Sequence, residues 1–303
     1  MVAILPRWPG ASNGALFMSI CDLLRVRPGP KFKLKDHDPS GTPGLADLLD
    51  KHKLPKGGKH GDETKEAAAA AAAENVRAIA ALQDRLYAEN KQCLLVVLQG
   101  MDTSGKDGAI RGVFSGVNPQ GCKVTSFKKP TEAEADRDFL WRIHAAVPAR
   151  GEIGVYNRAH YEDVLIVRVH NFVPPAIWGK RYEMINDCER YLVENHVKII
   201  KCFLHISKDE QLERLKARLD DPAKNWKFSM QDVEERKHWA AYQQAYEAAL
   251  SKCATKAAPW YIVPANRKWY RNLAISKIVR ETLEAMNPRT PKPMVDLSKV
   301  VLK

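Results

Sequence analysis

The 303-residue sequence has no apolar run close to the roughly 18 residues that a membrane-spanning helix requires. Its longest apolar stretches, such as Leu94 to Leu98, have the length of buried strands instead. Residues 1–17 also lack the continuous apolar segment of an export signal, because Pro6, Pro9 and Gly10 interrupt them. We therefore expect a cytoplasmic protein with no membrane partner, in which residues 1–17 form an extension.

Paired cysteines and zinc-binding patterns are absent as well. The six cysteines include no CxxC pair and no zinc spacing, and several lie in apolar segments, where a thiol packs as a small hydrophobic group. His160 and His170 have no partner at metal-ligand spacing, so we interpret both as structural. These absences argue against a zinc site and indicate a reducing compartment.

Acidic residues are fewer than basic ones, with 36 Asp and Glu against 48 Lys and Arg, which gives a net charge of +12. Such an excess indicates a polyanionic partner, and nucleic acid, an anionic membrane and polyphosphate all qualify. We recognise no nucleic-acid-binding module in the sequence, so we do not expect nucleic acid as the partner. Charge alone narrows the partner to an anion.

Strand patterns and helix patterns alternate along most of the chain. The segments predicted as strands are 93–99, 123–127, 152–156, 197–206 and 260–263. Helical patterns cover 64–90, 106–114, 131–145, 162–170, 180–196, 208–219, 229–253 and 266–286. This alternation predicts an α/β fold with a doubly wound, parallel, five-stranded sheet flanked by helices.

The two ends differ in composition from this central region. Residues 25–62 are rich in Pro, Gly, Lys and Asp, which predicts an arm with little regular structure. Residues 288–303 form a Pro-rich tail. We therefore divide the chain into an N-terminal extension and arm at 1–62, a main domain at 63–287 and the tail.

The sharpest motif is G-M-D-T-S-G-K-D-G at residues 100–108, between the strand 93–99 and the helix 106–114. In a P-loop, glycines let backbone N–H groups turn toward phosphate oxygens, and the helix N-terminus adds its dipole. Lys106 supplies a cation for the phosphates undergoing transfer. A chance match is the alternative, but the flanking strand and helix argue against it. The predicted phosphate-binding loop residues are Gly100, Thr103, Ser104, Gly105, Asp107 and Gly108.

One position departs from the usual P-loop. Asp107 stands where a Ser or Thr hydroxyl normally holds Mg²⁺. Because Mg²⁺ prefers oxygen ligands, including carboxylates, Asp102 inside the loop is our candidate for the missing ligand. The same departure leaves a second reading open, a non-catalytic polyanion-binding protein with a degenerate loop.

Together with the loop, the segment G-V-Y-N-R-A-H-Y-E-D-V-L-I-V-R-V-H-N at 154–171 closely resembles the family 2 polyphosphate kinases, in particular their class III branch. Further similar segments lie at 126–154, 217–229, 232–250 and 258–274. The resemblance covers residues 20–287. It implies a P-loop kinase with a helical lid at about 208–230, here within the main domain. It also implies Mg²⁺-dependent phosphorylation of AMP and ADP from inorganic polyphosphate, giving ADP and ATP, by a dimer or tetramer.

The resemblance implies roles for individual residues. Asp102 and Lys106 match the family's P-loop acid and lysine, and Asn157 and Arg158 occupy its Walker B region. Because other classes carry Asp in place of Asn157, Glu162 becomes a candidate metal ligand beside Asp102. The cationic residues that match the family's lid are Arg214, Arg218, Lys224 and Lys227.

Elementary chemistry agrees with these roles. An acceptor phosphate oxygen is already ionised, so no general base is needed, whereas cations must neutralise the transferring group. Lys128, Lys129 and Arg137 are predicted to follow a long polyanion, although solubility alone would also explain the two lysines. Arg214 and Arg218 are spaced i, i+4, which is equally the pattern of a solvated helix face.

One further alternative shares the fold and the P-loop. An ATP-dependent nucleoside monophosphate kinase of the thymidylate kinase type would use ATP as donor. It would not need the net charge of +12 or the H-Y-E-D-V string at 160–164.

Overall fold

The computed structural model describes residues 19–27, 29, 32–49 and 61–300. They contain one five-stranded sheet, built from β1 (Cys93–Gln99), β2 (Cys122–Ser126), β3 (Ile153–Asn157), β4 (Val197–His205) and β5 (Trp260–Pro264). All the pairings are parallel and the strand order is β2-β3-β1-β4-β5. The first strand, β1, therefore lies at the centre, with β3 and β2 on one side and β4 and β5 on the other, which confirms the predicted doubly wound sheet.

Helices cover the sheet. In chain order they are α1 (Ile20–Leu24), α2 (Leu45–Leu49), α3 (Asp62–Glu89), α4 (Lys106–Phe114), α5 (Glu132–Ala135), α6 (Trp141–Ala145), α7 (Ile166–Val169), α8 (Pro175–Glu194), α9 (Lys208–Leu219), α10 (Met230–Glu235), α11 (Trp239–Cys253) and α12 (Lys268–Met286). Short 3-10 turns lie at Leu34–Asp36, Pro119–Gly121, His160–Val164, Asn225–Lys227, Arg236–His238 and Leu297–Lys299. Within the described ranges, no helix has the length and apolar character to cross a membrane.

The central strands are buried because both faces of the sheet are covered. All seven residues of β1 are buried, as a continuous apolar strand of a parallel sheet requires. The edge strand β2 is only partly buried, in keeping with its mixed polar sequence. On one face α3 packs along α12, where the small side chains of Ala68 and Ala71 are buried. A hydrogen bond of 3.1 Å from Asn75 Nδ2 to Ser276 Oγ joins these two helices.

Three predicted helices are interrupted, and in the segment 162–170 the 3-10 turn His160–Val164 is followed by the short helix α7. The segment 131–145 contains α5 and α6, because a capping box between Thr131 and Glu134 starts a helix that ends at Ala135. Asp138 then accepts a hydrogen bond from the backbone of Leu140, which breaks the helical ladder before α6. The segment 229–253 likewise contains α10 and α11, separated by the 3-10 turn Arg236–His238.

The described part of the arm is more ordered than its composition predicts. It forms α1, a 3-10 turn and α2, and it buries the side chains of Ile20, Leu24, Val26, Leu34, Leu45, Leu48 and Leu49. Val26 N donates to Trp260 O at 2.8 Å, and Leu34 N donates to Glu247 Oε2 at 2.8 Å. Little regular structure was predicted for residues 25–62, and their described part contains one 3-10 turn and α2, but its leucines complete the core. Residues 1–18 and 50–60 lie outside the described residues.

The arm also covers a buried histidine at the end of β4. His205 is 6% exposed, and its Nε2 lies 3.1 Å from the carbonyl oxygen of His37. Burial lowers the pKa of His205 from 6.5 to about 4, while the neighbouring His37 and Asp38 have smaller and opposing effects. The imidazole is therefore neutral in the folded protein at neutral pH.

Mild acid is expected to destabilise the fold through His205. Between pH 6.5 and about pH 4 the unfolded chain binds a proton there that the folded chain does not. His205 therefore leaves the free energy of unfolding unchanged above about pH 6.5. Between pH 6.5 and about pH 4 it lowers this free energy, by about 2 kcal/mol at about pH 5. Urea unfolding at neutral pH and at about pH 5 measures this loss in the wild type and in His205→Gln. The variant should lose about 2 kcal/mol less on acidification, and an equal loss in both proteins would contradict the assignment.

Candidate active site

The predicted P-loop connects β1 to α4 and wraps the N-terminus of that helix. Gly105 is the residue immediately before α4 and has φ of 97°, in the left-handed region that favours glycine. Thr103 also has a positive φ, of 64°. The loop therefore turns sharply enough to present backbone N–H groups at the start of a helix, which is the geometry of an anion site.

Lys106 lies inside this loop. Its Nζ donates to the carbonyl oxygens of Gly100 at 2.7 Å and Met101 at 3.3 Å, and the residue is 8% exposed. Burial and the nearby Arg158 lower the pKa of Lys106, whereas Asp102 and Glu162 oppose that shift. The ammonium group is thus held by backbone carbonyls, which a phosphate oxygen could replace as its acceptors.

A second cation faces the loop from the end of β3. Arg158 Nη2 lies 2.6 Å from Asp102 Oδ1 in a partly buried ion pair. Burial opposes the charge of Arg158, but Glu162 and Asp102 raise its pKa above the ordinary value. Arg158 has φ of 63°, an uncommon backbone conformation for a residue with a side chain. Such strain is typical of functional sites, where the surrounding structure enforces it.

The carboxylates that could hold a metal lie beside this pair. Asp102 and Glu162 both line a cavity of about 120 Å³ that also includes Asp232 and Glu235. Burial raises the pKa of Glu162, and Arg158 and Lys106 act against that rise. Although four carboxylates line this cavity, no three His, Cys, Asp or Glu side chains among the described residues are placed so that they could hold one metal ion together. This arrangement fits Mg²⁺, which binds through one or two carboxylates and completes its shell with water and substrate phosphates.

The two positions that depart from the usual motifs are in contact. Asn157 Nδ2 donates to Asp107 Oδ1 at 2.8 Å, and Lys227 Nζ lies 3.9 Å from Asp107 Oδ2. A carboxylate is present in the P-loop helix where a hydroxyl is usual, and an amide on β3 where a carboxylate is usual. The side-chain amide of Asn157 therefore supplies a hydrogen-bond donor to the carboxylate of Asp107.

These elements surround one cleft of about 740 Å³. Of the residues predicted from sequence, those that line it are Asp102, Thr103, Gly105, Lys106, Asp107, Gly108, Lys128, Asn157, Arg158, Arg214, Arg218, Lys224 and Lys227. Gly100 and Glu162 line the adjoining smaller cavity, and Ser104 is buried behind the loop. The structure thus brings most of the predicted site together.

Two predicted cations lie elsewhere. Lys129 is exposed and is not part of the cleft lining. The guanidinium of Arg137 stacks on the ring of Trp141 at 4.4 Å and donates to the carbonyl oxygen of Ala133. Neither side chain contacts the P-loop, so any polyanion they bind must extend beyond the cleft.

The two lid arginines have different surroundings. Arg214 is 8% exposed, and its guanidinium donates to Glu210 and to the backbone carbonyls of Thr103, Ser104, Ala265 and Asn266. In this conformation it ties the P-loop to the segment after β5.

Arg218, four residues further along α9, is less buried. Its Nη1 donates to Asp232 Oδ2 at 2.9 Å and to Lys227 O at 3.2 Å. These bonds join α9 to the 3-10 turn Asn225–Lys227 and to α10. Arg218 therefore holds the parts of the predicted lid together at the edge of the cleft.

Sequence reasoning missed three cations that line the cleft, namely Arg111 on α4 and Lys268 and Arg271 on α12. The segment 258–274 was recognised as similar to the family, which is the signal that could have drawn attention to the last two. The similarity gave no role to Lys268 or Arg271, because nothing in the sequence around α12 indicates that this helix reaches the P-loop.

Replacing Gly105 by alanine is expected to disable the loop. A Cβ at this position would lie 1.9 Å from Arg271 Nη1, and φ of 97° strains any side chain. We expect kcat to fall at least about 100-fold, because misplacement of the loop by about 1 Å has that effect on a positioned reaction. Gly179→Ala, in the exposed part of α8 with open space around it, is the matched control and should retain full activity. Near-normal turnover by Gly105→Ala would show that the loop geometry is not required.

Comparisons with known proteins agree with this fold. The family model "Polyphosphate kinase 2 (PPK2)" matches residues 62–291. The AMP/ADP-polyphosphate phosphotransferase of Meiothermus ruber is 49% identical over 279 residues, which cover 92% of this chain and 98% of that protein. The ADP-polyphosphate phosphotransferase of Rhodopseudomonas palustris is 47% identical over 229 residues, covering 72% of this chain and 79% of that protein. The crystal structure of polyphosphate kinase 2 from Arthrobacter aurescens TC1 matches with a TM-score of 0.84 and 41% identity, covering 93% and 94% of the two chains. With its P-loop, its cationic cleft and this extent of similarity, the chain belongs to the polyphosphate kinase 2 family.

Proposed function

We propose that this chain transfers the terminal phosphoryl group of inorganic polyphosphate to AMP and to ADP, giving ADP and ATP. The observation that carries the proposal is the cleft of about 740 Å³, in which cations from the P-loop, β3, the lid and α12 face a single volume. The names of the relatives from Meiothermus ruber and Rhodopseudomonas palustris, which are polyphosphate phosphotransferases of AMP/ADP and of ADP, support the choice of substrates.

In the proposed reaction an oxygen of the nucleotide's terminal phosphate attacks the terminal phosphorus of polyphosphate. That oxygen is already ionised near neutral pH, so no side chain has to remove a proton. Lys106 exchanges its carbonyl acceptors for oxygens of the transferring group, and Arg158 adds charge from the β3 side. Fixed cations of this kind stabilise the charge that spreads over the transferring group.

Mg²⁺ is the proposed metal ion. Asp102 and Glu162 would hold it, and when bound it would neutralise phosphate charge and orient the oxygens. In the free protein Arg158 pairs with Asp102, so this cation already compensates one of the two carboxylates.

The segment at about 208–230 is proposed to act as a lid. Arg218, Lys224 and Lys227 line the cleft from this segment, and the ion pair between Arg218 and Asp232 connects it to α10. Closing this segment over bound phosphates would exclude water, which would otherwise compete with the nucleotide as acceptor.

We also propose that the chain acts in the cytoplasm as a homo-oligomer. Ile177, Met184 and Tyr191 lie seven residues apart on α8 and are each about half exposed, which makes an apolar stripe. In an antiparallel pair of α8 helices centred on Met184, Ile177 would face Tyr191 of the second copy. Lys180 would then lie near Asp187 of that copy, so the charges are complementary.

The oligomer proposal predicts the effect of a charge in this stripe. Met184→Glu should convert the oligomer to monomers, because two like charges would meet at the two-fold axis. Light scattering after size-exclusion chromatography measures the mass, with Glu183→Ala on the same helix as control. A wild-type mass equal to one chain would refute the proposal, and so would an unchanged oligomer in the variant.

Product formation without ATP separates the leading function from the alternatives. Purified protein is incubated with Mg²⁺, long-chain polyphosphate and AMP or ADP, and nucleotides are quantified by chromatography. The proposal predicts ADP and ATP from AMP, and ATP from ADP. Products that form only after ATP is added would indicate a nucleoside monophosphate kinase instead. Binding of polyphosphate without any product would indicate a non-catalytic polyanion-binding protein.

A further inference from the structure

Arg271 is a buried cation without an acidic partner. It is 3% exposed, and its Nε and Nη2 donate to Oδ1 of the neutral side chain of Asn272, at 3.1 and 2.8 Å. No ion pair joins it to a carboxylate within the described part of the chain. Burying an uncompensated charge is costly, so most buried arginines are paired with an acid.

The neighbours of Arg271 increase this cost. Burial and the adjacent Arg214 lower its pKa to about 10, so the guanidinium stays charged at neutral pH. Arg214 differs because Glu210 compensates it at 2.7 Å. The positive charge that lacks a partner is therefore concentrated at Arg271.

The guanidinium of Arg271 lies directly against the P-loop. Its Nη1 lies 1.9 Å from the position that a Cβ on Gly105 would take, and its Nη2 lies 3.0 Å from that of Gly108. Glycines at these two positions leave room for the group beside the first turn of α4. Arg271 therefore adds a side-chain cation to the backbone N–H groups of the same helix N-terminus.

Two further cations extend this surface. Arg111 on α4 and Lys268 on α12 line the same cleft as Arg271. On the other side of Asp102 and Arg158, the cavity of about 120 Å³ contains four carboxylates and would repel a polyanion that carries no metal. The α4–α12 side of the cleft is thus basic, whereas the adjoining cavity beside α10 is acidic.

Given the proposed function, we propose that Arg271, assisted by Lys268 and Arg111, binds the polyphosphate residues next to the one transferred. These phosphates form the leaving end of the donor chain. The nucleotide and the metal then take the side that carries Asp102 and Glu162.

The reaction at this subsite needs no co-reactant. A bond forms between the nucleotide's phosphate oxygen and the terminal phosphorus, and the bond from that phosphorus to the bridging oxygen breaks. The electron pair stays on the bridging oxygen, which becomes the new terminal oxygen of a polyphosphate one unit shorter. Negative charge therefore grows at the leaving end, where the guanidinium of Arg271 donates its N–H groups.

Arg271→Met tests the subsite through both kinetics and binding. We expect kcat/KM for polyphosphate to fall about 10- to 100-fold, the usual effect of losing a hydrogen bond to a charged group, while KM for AMP changes less than about twofold. Calorimetry measures the binding of tripolyphosphate without nucleotide or metal, and the affinity should fall by a similar factor. Arg271→Lys should restore part of the kcat/KM for polyphosphate and part of the affinity for tripolyphosphate. Arg280→Met, on the same helix but outside the cleft, is the control and should match the wild type.

Thermal unfolding separates ligand binding from a structural role. Because Arg271 is uncompensated, Arg271→Met without ligand should melt at or above the wild-type temperature, but tripolyphosphate should no longer stabilise it. A lower melting temperature of both Arg271→Met and Arg271→Lys, with binding unchanged, would show a structural role and overturn the proposal. A raised KM for AMP alone would place the nucleotide on this side and overturn it as well.

The outcomes also distinguish the subsite from the proposed function. Wild-type turnover of polyphosphate with equal kinetics in Arg271→Met would overturn the subsite and leave the function intact. Loss of tripolyphosphate binding in the variant, with a wild type that forms no nucleotide product, would leave the subsite and remove the function.

Discussion

Replacing Lys106 by alanine is expected to lower kcat about a thousandfold while the protein stays folded. The ammonium group is the cation that the P-loop itself contributes, and it lies within hydrogen-bonding distance of the carbonyl oxygens of Gly100 and Met101. Without it, the side-chain cations left to neutralise the transferring group, beside the proposed Mg²⁺, are Arg158 and those of the lid and α12. Steady-state assays with polyphosphate and AMP measure the loss, and circular dichroism checks the fold.

Lys129→Ala is the matched control for this prediction. Lys129 has the same side chain but is exposed and lies outside the cleft, so its removal should change kcat by less than about twofold. A Lys106→Ala enzyme with more than about one tenth of wild-type kcat would mean that the P-loop lysine does not act on the transferring group.

Replacing Lys201 by methionine is expected to destabilise the protein by about 3–5 kcal/mol. Lys201 is fully buried on β4, where its Nζ pairs with Glu189 of α8 and donates to Tyr161 Oη and Cys253 O, both at 2.8 Å. Although burial raises the pKa of Glu189, Lys201 and His160 bring it below the ordinary value, so the carboxylate is charged. The substitution would leave this charge buried with too few partners.

Urea unfolding with two further variants tests this account. Arg190→Met breaks the exposed ion pair with Asp187 and should cost less than about 1 kcal/mol. Adding Glu189→Gln to Lys201→Met removes the unpaired charge, so the double variant should be more stable than the sum of the single losses predicts. Strict additivity would show that the two groups do not act as a pair.

This buried network also supports the active site. Tyr161 Oη donates to Glu189 Oε1 at 2.7 Å, and His160 Nε2 lies 3.1 Å from the same oxygen. Both residues belong to the 3-10 turn that carries Glu162 and begins two residues after Arg158. The ion pair in the core therefore holds the segment that presents a cation and a carboxylate to the P-loop.

Sequence patterns predict the sheet well because its strands depend on local information. The bounds of β1 agree with prediction, since an uninterrupted apolar run between polar residues can only be a covered strand. The P-loop was predictable for the same reason, because glycine spacing, lysine and the flanking elements are contiguous in the chain. Loop and strand together are sufficient to predict a phosphate site.

Features that depend on distant contacts were not predictable. The leucines of the arm are spread among prolines and glycines, and only packing against distant elements such as α3, α12 and β5 gives them order. The pairing of Asp107 with Asn157 joins residues fifty positions apart, so each looked like an isolated departure from its motif. Arg271 likewise becomes part of the site only because α12 packs beside α4.

Transfer of label from polyphosphate to AMP tests the central claim most directly. Polyphosphate labelled with ³²P is incubated with Mg²⁺, unlabelled AMP and the protein, without ATP, and the products are separated. Direct transfer in the P-loop cleft predicts label in the β-phosphate of ADP and then also in the γ-phosphate of ATP, with labelling by Lys106→Ala slower by about a thousandfold. Unlabelled nucleotide throughout, or equal labelling by Lys106→Ala, would contradict it.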